Sequence, residues 1–478
     1  MKTITFIIKS YLRVINNPLA IRSSSLFEDS LTQPFAGIFD TYLLPNNHPD
    51  FNVRLDQMMT AIKLVFASIF SPTARSYFDA INYKIEEEKM AVIVQEVVGS
   101  SYDETFYPHI SGVAQSYNFY PISHMKPEDG FAVLAVGLGK YVVEGEKTYR
   151  FCAEYPNVEI YSATDLYKNS QLHFYAVNMK QRKFNLLEGE NASLVKLDID
   201  VSEKHGTLKH CGSVYDLTNE RITAGLTSQG PRVVNFANII KHKYIPLSKT
   251  IQVILNVVEE AMGSPVEIEF AVDLDKDKKG NASFYLLQIK PLIKTVFESN
   301  INIDDVDYSK LLLYSEMGMG NGIIDDISDI IYIDVKKFDK LKTEKMRDEI
   351  EQLNAEMIKN NKKYILIGPG RWGTHDRFIG IPVAWSQISN AKIIVEISIE
   401  DFPLDASLGS HFFHNVITMN VGYFSVKYNS LIDYINWDVL AQQKAEHQTK
   451  YFKHIRFKRP MKVMMDGKKR ASLIYYNE

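Results

Sequence analysis

The sequence predicts an α+β fold in two units, and three observations carry that prediction. Two segments near its middle, Val266-Glu-Ile-Glu-Phe-Ala-Val-Asp273 and Phe284-Tyr-Leu-Leu-Gln-Ile-Lys-Pro291, alternate with period two across a charged turn, the pattern of a β-hairpin. Just before them, residues 248–262 place apolar side chains at helical spacing, with Ser248 as N-cap and Gly263 as stop. Finally, 478 residues exceed what one ordinary core holds, and residues 292–307 are polar and acidic in the manner of a linker. The expected division is 1–295 and 308–478.

Taken in order, residues 18–23 read as a short strand entering the serine-rich turn Ser23-Ser-Ser25. Residues 52–70 carry Val53, Leu55, Met58, Ala61, Ile62, Val65, Phe66 and Ile69 at helical spacing, and Pro72 stands where the next helix starts. Strands follow at 90–98 and 131–136, flanking a Ser111-Gly-Val113 turn. From 146 to 245 the pattern is less regular, with further strands and loops. In the second unit the glycine-rich residues 317–322 read as a turn and 330–335 as a strand. Residues 335–363 read as a long exposed helix, its surface decorated by Glu344, Arg347, Asp348 and Gln352. Residues 364–373 run from a strand into a Gly368-Pro-Gly370 turn, and 391–397 form a buried strand, so this part is expected to be a small α/β domain.

Composition narrows the function classes. A formal net charge of −4 gives no electrostatic reason to expect nucleic acid as a partner. Cys152 and Cys211 make no disulfide framework and lack metal-site spacing, which fits a reducing cytoplasm. No stretch approaches the ~20 apolar residues of a membrane span, and the apolar run after Met1 is interrupted by Lys9 and Arg13.

Chemistry concentrates on the hairpin. Alternation puts Glu267 and Glu269 on one face, and Gln288 and Lys290 on the matching face of the returning strand. A carboxylate, an amide oxygen and an ammonium side by side suit a hard cation that bridges anionic oxygens, such as Mg²⁺ on nucleotide phosphates. Antiparallel hairpins with one solvated face carry the same residue types, so both readings stand at this point.

A run of short motifs extends the argument. Arg22-Ser-Ser-Ser25, Glu28-Asp29-Ser30 and Phe35-Ala-Gly-Ile-Phe-Asp-Thr41 open the series. Val94-Gln-Glu-Val-Val98, Ser111-Gly-Val-Ala114 and Gly137-Leu-Gly-Lys-Tyr-Val-Val-Glu-Gly145 follow, and Glu267-Ile-Glu-Phe-Ala271 with Leu287-Gln-Ile-Lys-Pro291 closes it. In kind and order this resembles the nucleotide-binding domain of phosphoenolpyruvate synthase and pyruvate phosphate dikinase, an ATP-grasp fold, over roughly residues 18–292. The resemblance implies Mg-ATP as ligand. It makes Arg22 the phosphate-binding guanidinium, with Ser23 and the backbone at Gly37 lining the phosphates and Gln95 on the adenine strand. Glu269 and Gln288 become Mg²⁺ ligands, and Lys290 neutralises phosphate charge where arginine is usual. The family's upstream subdomain, with its lysine-bearing glycine-rich loop, does not fit in the 17 residues before Pro18. The expectation is an N-terminally truncated ATP-grasp-like domain, or one whose other half comes from a second chain.

Such enzymes pass phosphate to a histidine and then to a small molecule in a barrel domain of about 250 residues, too large for the tail here. His411 in Gly409-Ser-His-Phe-Phe-His414 is the candidate acceptor, ahead of His375, although a histidine in an aromatic stretch is also a common packed core residue. Arg371, after Gly368-Pro-Gly370, reads equally as an anion-binding turn or a structural one. Gly137-Leu-Gly139 is no dinucleotide fingerprint, since Val142 stands at the third glycine position and no helix start is expected there. Asp273, Asp275 and Asp277 begin like a calcium loop, but Lys278 and Phe284 replace its turn glycine and last glutamate. The functional expectation is an ATP-dependent phosphotransferase acting on a histidine or small acceptor. The alternatives are a non-catalytic nucleotide-binding or scaffold module and a fragment of a larger enzyme.

Overall fold

Among the described residues, alternating and helical patterns become four small sheets with helices in the first part of the chain, and a ten-stranded sheet, a two-stranded sheet and helices in the second. A computed structural model describes all residues except 1, 29, 31–34, 81–82, 120, 122–123, 293–306, 321, 401, 403–409, 420, 467–468 and 478. The chain divides into two compact units, Met1–Asn118 with Ile122–Leu292, and Phe119–Pro121 with Ile293–Glu478. The class is α+β, with a smaller α/β region following the first unit. The expected linker lies almost wholly outside the described residues.

In the first unit, strand Leu19–Ser25 sits between Tyr42–Leu44 and Met90–Glu96, antiparallel to both. Helix Phe51–Ala67 covers one face of this sheet, burying Met58, Ala61 and Val65. Asp50 caps that helix by accepting from Asn52 N–H at 2.8 Å, and Pro72 does open a helix, Pro72–Ala80. Helix Lys2–Val14 was not anticipated; its buried Ile8 and Leu12, four apart, join the same core.

A five-stranded sheet carries the hairpin. Its order runs from Ser283–Pro291 to Val266–Asp273, Ile110–Gln115, Phe131–Ala135 and Tyr149–Phe151. The Ser-Gly-Val segment is thus a central strand rather than a turn. Glycine is required at 112 because a Cβ there would meet the Phe270 ring at 2.4 Å. Helix Leu247–Met262 lays Leu247, Ile251, Leu255 and Val258 on the core and ends at Gly263 with φ 67°. Its N-cap is Pro246, not Ser248, which lies one residue inside. One helical turn, Lys140–Val143, does follow Gly137-Leu-Gly139, contrary to expectation.

In the second unit, strands Gly322–Ile333, Tyr364–Pro369, Ala391–Ile397 and Gly422–Val426 lie parallel in that order. Phe452–Asp466 pairs antiparallel with the first of them. Two expectations are corrected here. Met317–Met319 is a strand, with Gly318 pressed against Ser472. The helix expected over 335–363 spans only Thr343–Lys359 and buries Met346, Ile350, Leu353 and Met357 along one side. Among the described residues, no helix is long and apolar enough to cross a membrane.

Candidate functional site

Strand Leu19–Ser25 sorts its side chains by alternation: Leu19, Ile21, Ser23 and Ser25 are buried, while Ala20, Arg22 and Ser24 are half-buried. Across the ladder Arg22 stands opposite Ile93, and Ala20 opposite Gln95. Arg22 and Gln95 therefore share the face turned away from the helix-covered core, with the half-exposed Ile93 beside them. That face has a guanidinium at one position and an apolar, amide-flanked strip next to it.

The hairpin brings the opposing groups. Glu267 pairs in register with Lys290, and Glu269 with Gln288. A β-bulge at Leu287 then shifts the register to Phe270 opposite Leu286. Bulges re-aim neighbouring side chains, and Gln288 is the residue just past this one. The Arg22 Nη2 donates to the Gln288 Oε1, joining residues 266 apart in sequence. Next to this contact the Lys290 Nζ donates to Glu269 Oε1.

The surroundings are dry and acidic. Lys290 is 3% exposed and Glu267 also 3%. Gln115 Nε2 donates to Glu267 Oε2 at 2.5 Å. Burial alone pulls the Lys290 pKa down, but the charges of Glu269 and Glu267, with Glu28 beyond them, outweigh it and hold the ammonium above its usual value. Glu28 is held from the arginine strand, since Ser23 Oγ donates to its Oε2 at 2.6 Å and its own N–H donates to Ser25 Oγ at 3.0 Å.

Arg22, Glu269, Gln288 and Lys290 are thus brought together, and Gln95 shares the Arg22 face. Ser23 turns to the opposite face and holds Glu28. Gly37 is exposed with φ 63°, in a segment anchored by Phe35, which stacks on Phe27 at 4.6 Å. Glu28 and Gln115 were missed as participants; the signal for Glu28 was its place in the quoted motif, and for Gln115 there was none beyond alternation. A second charged cluster ties the Asp40-Thr41 and Gly137–Gly145 motifs together. Lys140 Nζ meets Glu144 at 2.8 Å and Glu190 at 3.5 Å, while Thr41 N–H donates to Glu190. Burial, and then the charge of Glu190, raise the Asp40 carboxyl above its usual range.

In the second unit, His411 is the half-buried first residue of helix His411–Thr418, whose N-cap Ser410 accepts from Phe413 N–H at 3.2 Å. His375 is exposed; Gly409 lies outside the described residues. At Gly370 and Gly373 a Cβ would collide with the rings of Phe402 and Phe412, so packing accounts for both glycines beside Arg371 without a ligand.

The donor set fits Mg-ATP, with carboxylate and amide oxygens for a hard cation and two cationic side chains for phosphate. Comparison with known proteins agrees with that chemistry. Residues 2–308 match the family described as pyruvate phosphate dikinase, AMP/ATP-binding domain. A phosphoenolpyruvate synthase from Aeropyrum pernix is 26% identical over 276 residues, which is 57% of this chain and 28% of that protein. An uncharacterized phosphotransferase, YvkC, from Bacillus subtilis is 26% identical over 282 residues, 59% of this chain and 25% of that protein. The chain therefore spans only about a quarter of the length of these curated relatives. With roughly two thirds of its residues covered by the family match, the chain belongs to the pyruvate phosphate dikinase AMP/ATP-binding domain family.

Proposed function

We propose that the first unit binds Mg-ATP between the Arg22 strand and the closing hairpin, and that the chain is an ATP-dependent phosphotransferase of the phosphoenolpyruvate synthase and pyruvate phosphate dikinase type. The observation that carries this reading is the Arg22–Gln288 contact. It joins a guanidinium to an amide oxygen beside Glu269 and Lys290, the four groups that the chemistry needs. Magnesium held by Glu269 and Gln288 would supply positive charge to neutralise phosphate.

The residues present divide the remaining work. Arg22 grips phosphate oxygens through two parallel donors, and Lys290 adds a compact charge without a fork. Each group is already engaged: Arg22 with Gln288, and Lys290 with Glu269. Were Mg-ATP to bind, Arg22 and Lys290 would be the groups to hold phosphate, and Glu269 and Gln288 those to hold the metal. Lys290 feels three carboxylates, Glu269, Glu267 and Glu28, and with Arg22 as the second cation this set of five groups carries a formal charge of −1. Nucleotide without its divalent cation is therefore opposed by the site's own charge. Gln95 and the apolar strip at Ile93 suit the base, and Gly37 offers backbone to the phosphates. His411 is the proposed acceptor.

Incubation with labelled ATP and Mg²⁺ should yield acid-labile phosphohistidine or AMP, both lost in Glu269→Ala. Equal product from wild type and Glu269→Ala rejects the catalytic reading. The same self-engagement of all four groups favours a second reading, a nucleotide-sensing module without turnover. That reading predicts an ATP-dependent thermal shift, abolished by Arg22→Ala, with no product at all.

A further inference from the structure

The aspartate series at the hairpin tip is not absorbed by the nucleotide site. Asp277 serves the turn itself, accepting from the N–H groups of Lys279 at 2.8 Å and Asn281 at 2.9 Å. Asp273 and Asp275 do something else. Val272 is paired with Ile110, so the next rung sets Asp273 beside His109, in the connection between strands Thr105–Tyr107 and Ile110–Gln115. His109 Nδ1 lies 2.9 Å from Asp273 Oδ1, and its Nε2 lies 3.8 Å from Asp275 Oδ1. One donor atom from each of the three residues falls within 4.8 Å of the others.

We propose that His109, Asp273 and Asp275 bind a first-row divalent transition metal of the zinc type, at a site distinct from that of the nucleotide. Neighbouring donors around an ion with bonds of about 2.1 Å are roughly 3 Å apart, which is the Nδ1–Oδ1 separation here. The same Nδ1 lies 3.3 Å from the Leu274 nitrogen, a long contact that a bound ion would displace. Imidazole nitrogen mixed with carboxylate oxygen favours zinc, cobalt or manganese over magnesium and calcium.

The supporting groups are in place. Ser100 Oγ donates to the other Asp273 oxygen at 3.3 Å, and Asp275 N–H donates to Asp273 Oδ1 at 3.0 Å. Tyr102 OH lies 3.4 Å from His109 Nε2. Lys276, between the ligands in sequence, places its ammonium over the Tyr244 ring at 4.4 Å. Burial is graded, with His109 and Asp273 side chains 9% and 17% exposed and Asp275 69%, which leaves an entry path. Asp273 lies four residues beyond Glu269 on one strand, about 13 Å away, too far to share a two-metal centre with a nucleotide-bound cation. The ion would tie the outer end of the closing hairpin to the adjoining strand connection.

The test uses the full chain, stripped with chelator and titrated with Co²⁺ by visible absorption and with Zn²⁺ by calorimetry, both in excess Mg²⁺. One equivalent should bind and raise the melting temperature. Asp275→Asn, at a site too exposed to affect folding, should weaken binding by about tenfold or more, and His109→Gln should abolish it. Glu269→Gln should leave it intact, which keeps the result separate from the nucleotide reading. Absence of saturable uptake, or uptake unchanged in both Asp275→Asn and His109→Gln, overturns the proposal; the His109–Asp273 contact is then an ordinary side-chain pair.

Discussion

Lys290 is the residue on which the site's electrostatics turn. A fully buried ammonium among Glu269, Glu267 and Glu28 is stable only because the carboxylates repay its dehydration. Lys290→Met should therefore cost about 3–5 kcal/mol, since it leaves buried carboxylates without their cation. Adding Glu269→Gln should recover part of that loss, a non-additivity measurable by urea denaturation of the two single variants and the double. Equal and additive losses would show that the pair is not coupled. The grouping of Arg22, Glu269, Gln288 and Lys290 in space was legible in the sequence, because alternation and motif order pointed to the same residues. The inward turn of Ser23 was not. Its neighbour Ser24 has the same chemistry, and only the packing of helix Phe51–Ala67 decides which serine faces inward.

At the scale of elements, the bulge at Leu287 sets the aim of the hairpin. Deleting Leu287 should restore a regular ladder that keeps the Glu269–Gln288 and Phe270–Leu286 pairs and removes the local kink and twist that aim Gln288. The expected result is loss of ATP-dependent thermal stabilisation together with a lower melting temperature. Unchanged ATP stabilisation in that variant would remove the bulge from the account. Gly112→Ala should destabilise by about 1–3 kcal/mol through the clash with Phe270 and the Val133 carbonyl, read from the shift in denaturation midpoint. Strands and helices with strong periodicity were legible, including Leu247–Met262 and the hairpin. The bulge was not, because an extra residue in a strand leaves no mark on composition. The N-terminal helix was hidden for another reason: Lys9 and Arg13 interrupt its apolar run in sequence, yet Ile8 and Leu12, four apart, still form the stripe that packs.

For the whole molecule, two units were foreseeable from length, but the architecture of residues 146–245 was not. Its short strands pair with partners far away, such as Thr105–Tyr107 against His173–Asn178, and local pattern holds no record of such pairing. The same region contains a pH-sensitive tie. Two hydrogen bonds from Arg232, at 2.7 and 2.8 Å, hold the Glu203 carboxyl below its usual range. A depressed acid stabilises the fold above its unfolded value of about 4.3, and that contribution fades as pH falls through the lower folded value. Both side chains are partly exposed, so the effect should stay under about 1 kcal/mol. Glu203→Gln should lose less stability than wild type between pH 5 and pH 3 on the order of that amount, and parallel acid limbs would contradict the assignment.

Calorimetric titration of the intact chain with ATP, with and without Mg²⁺, tests the central claim most directly. The account predicts saturable one-to-one binding that requires Mg²⁺ and disappears in Arg22→Ala and Gln288→Ala, while both variants keep the wild-type circular dichroism spectrum. Binding of the same affinity in those variants, or no binding by the wild type, would contradict it.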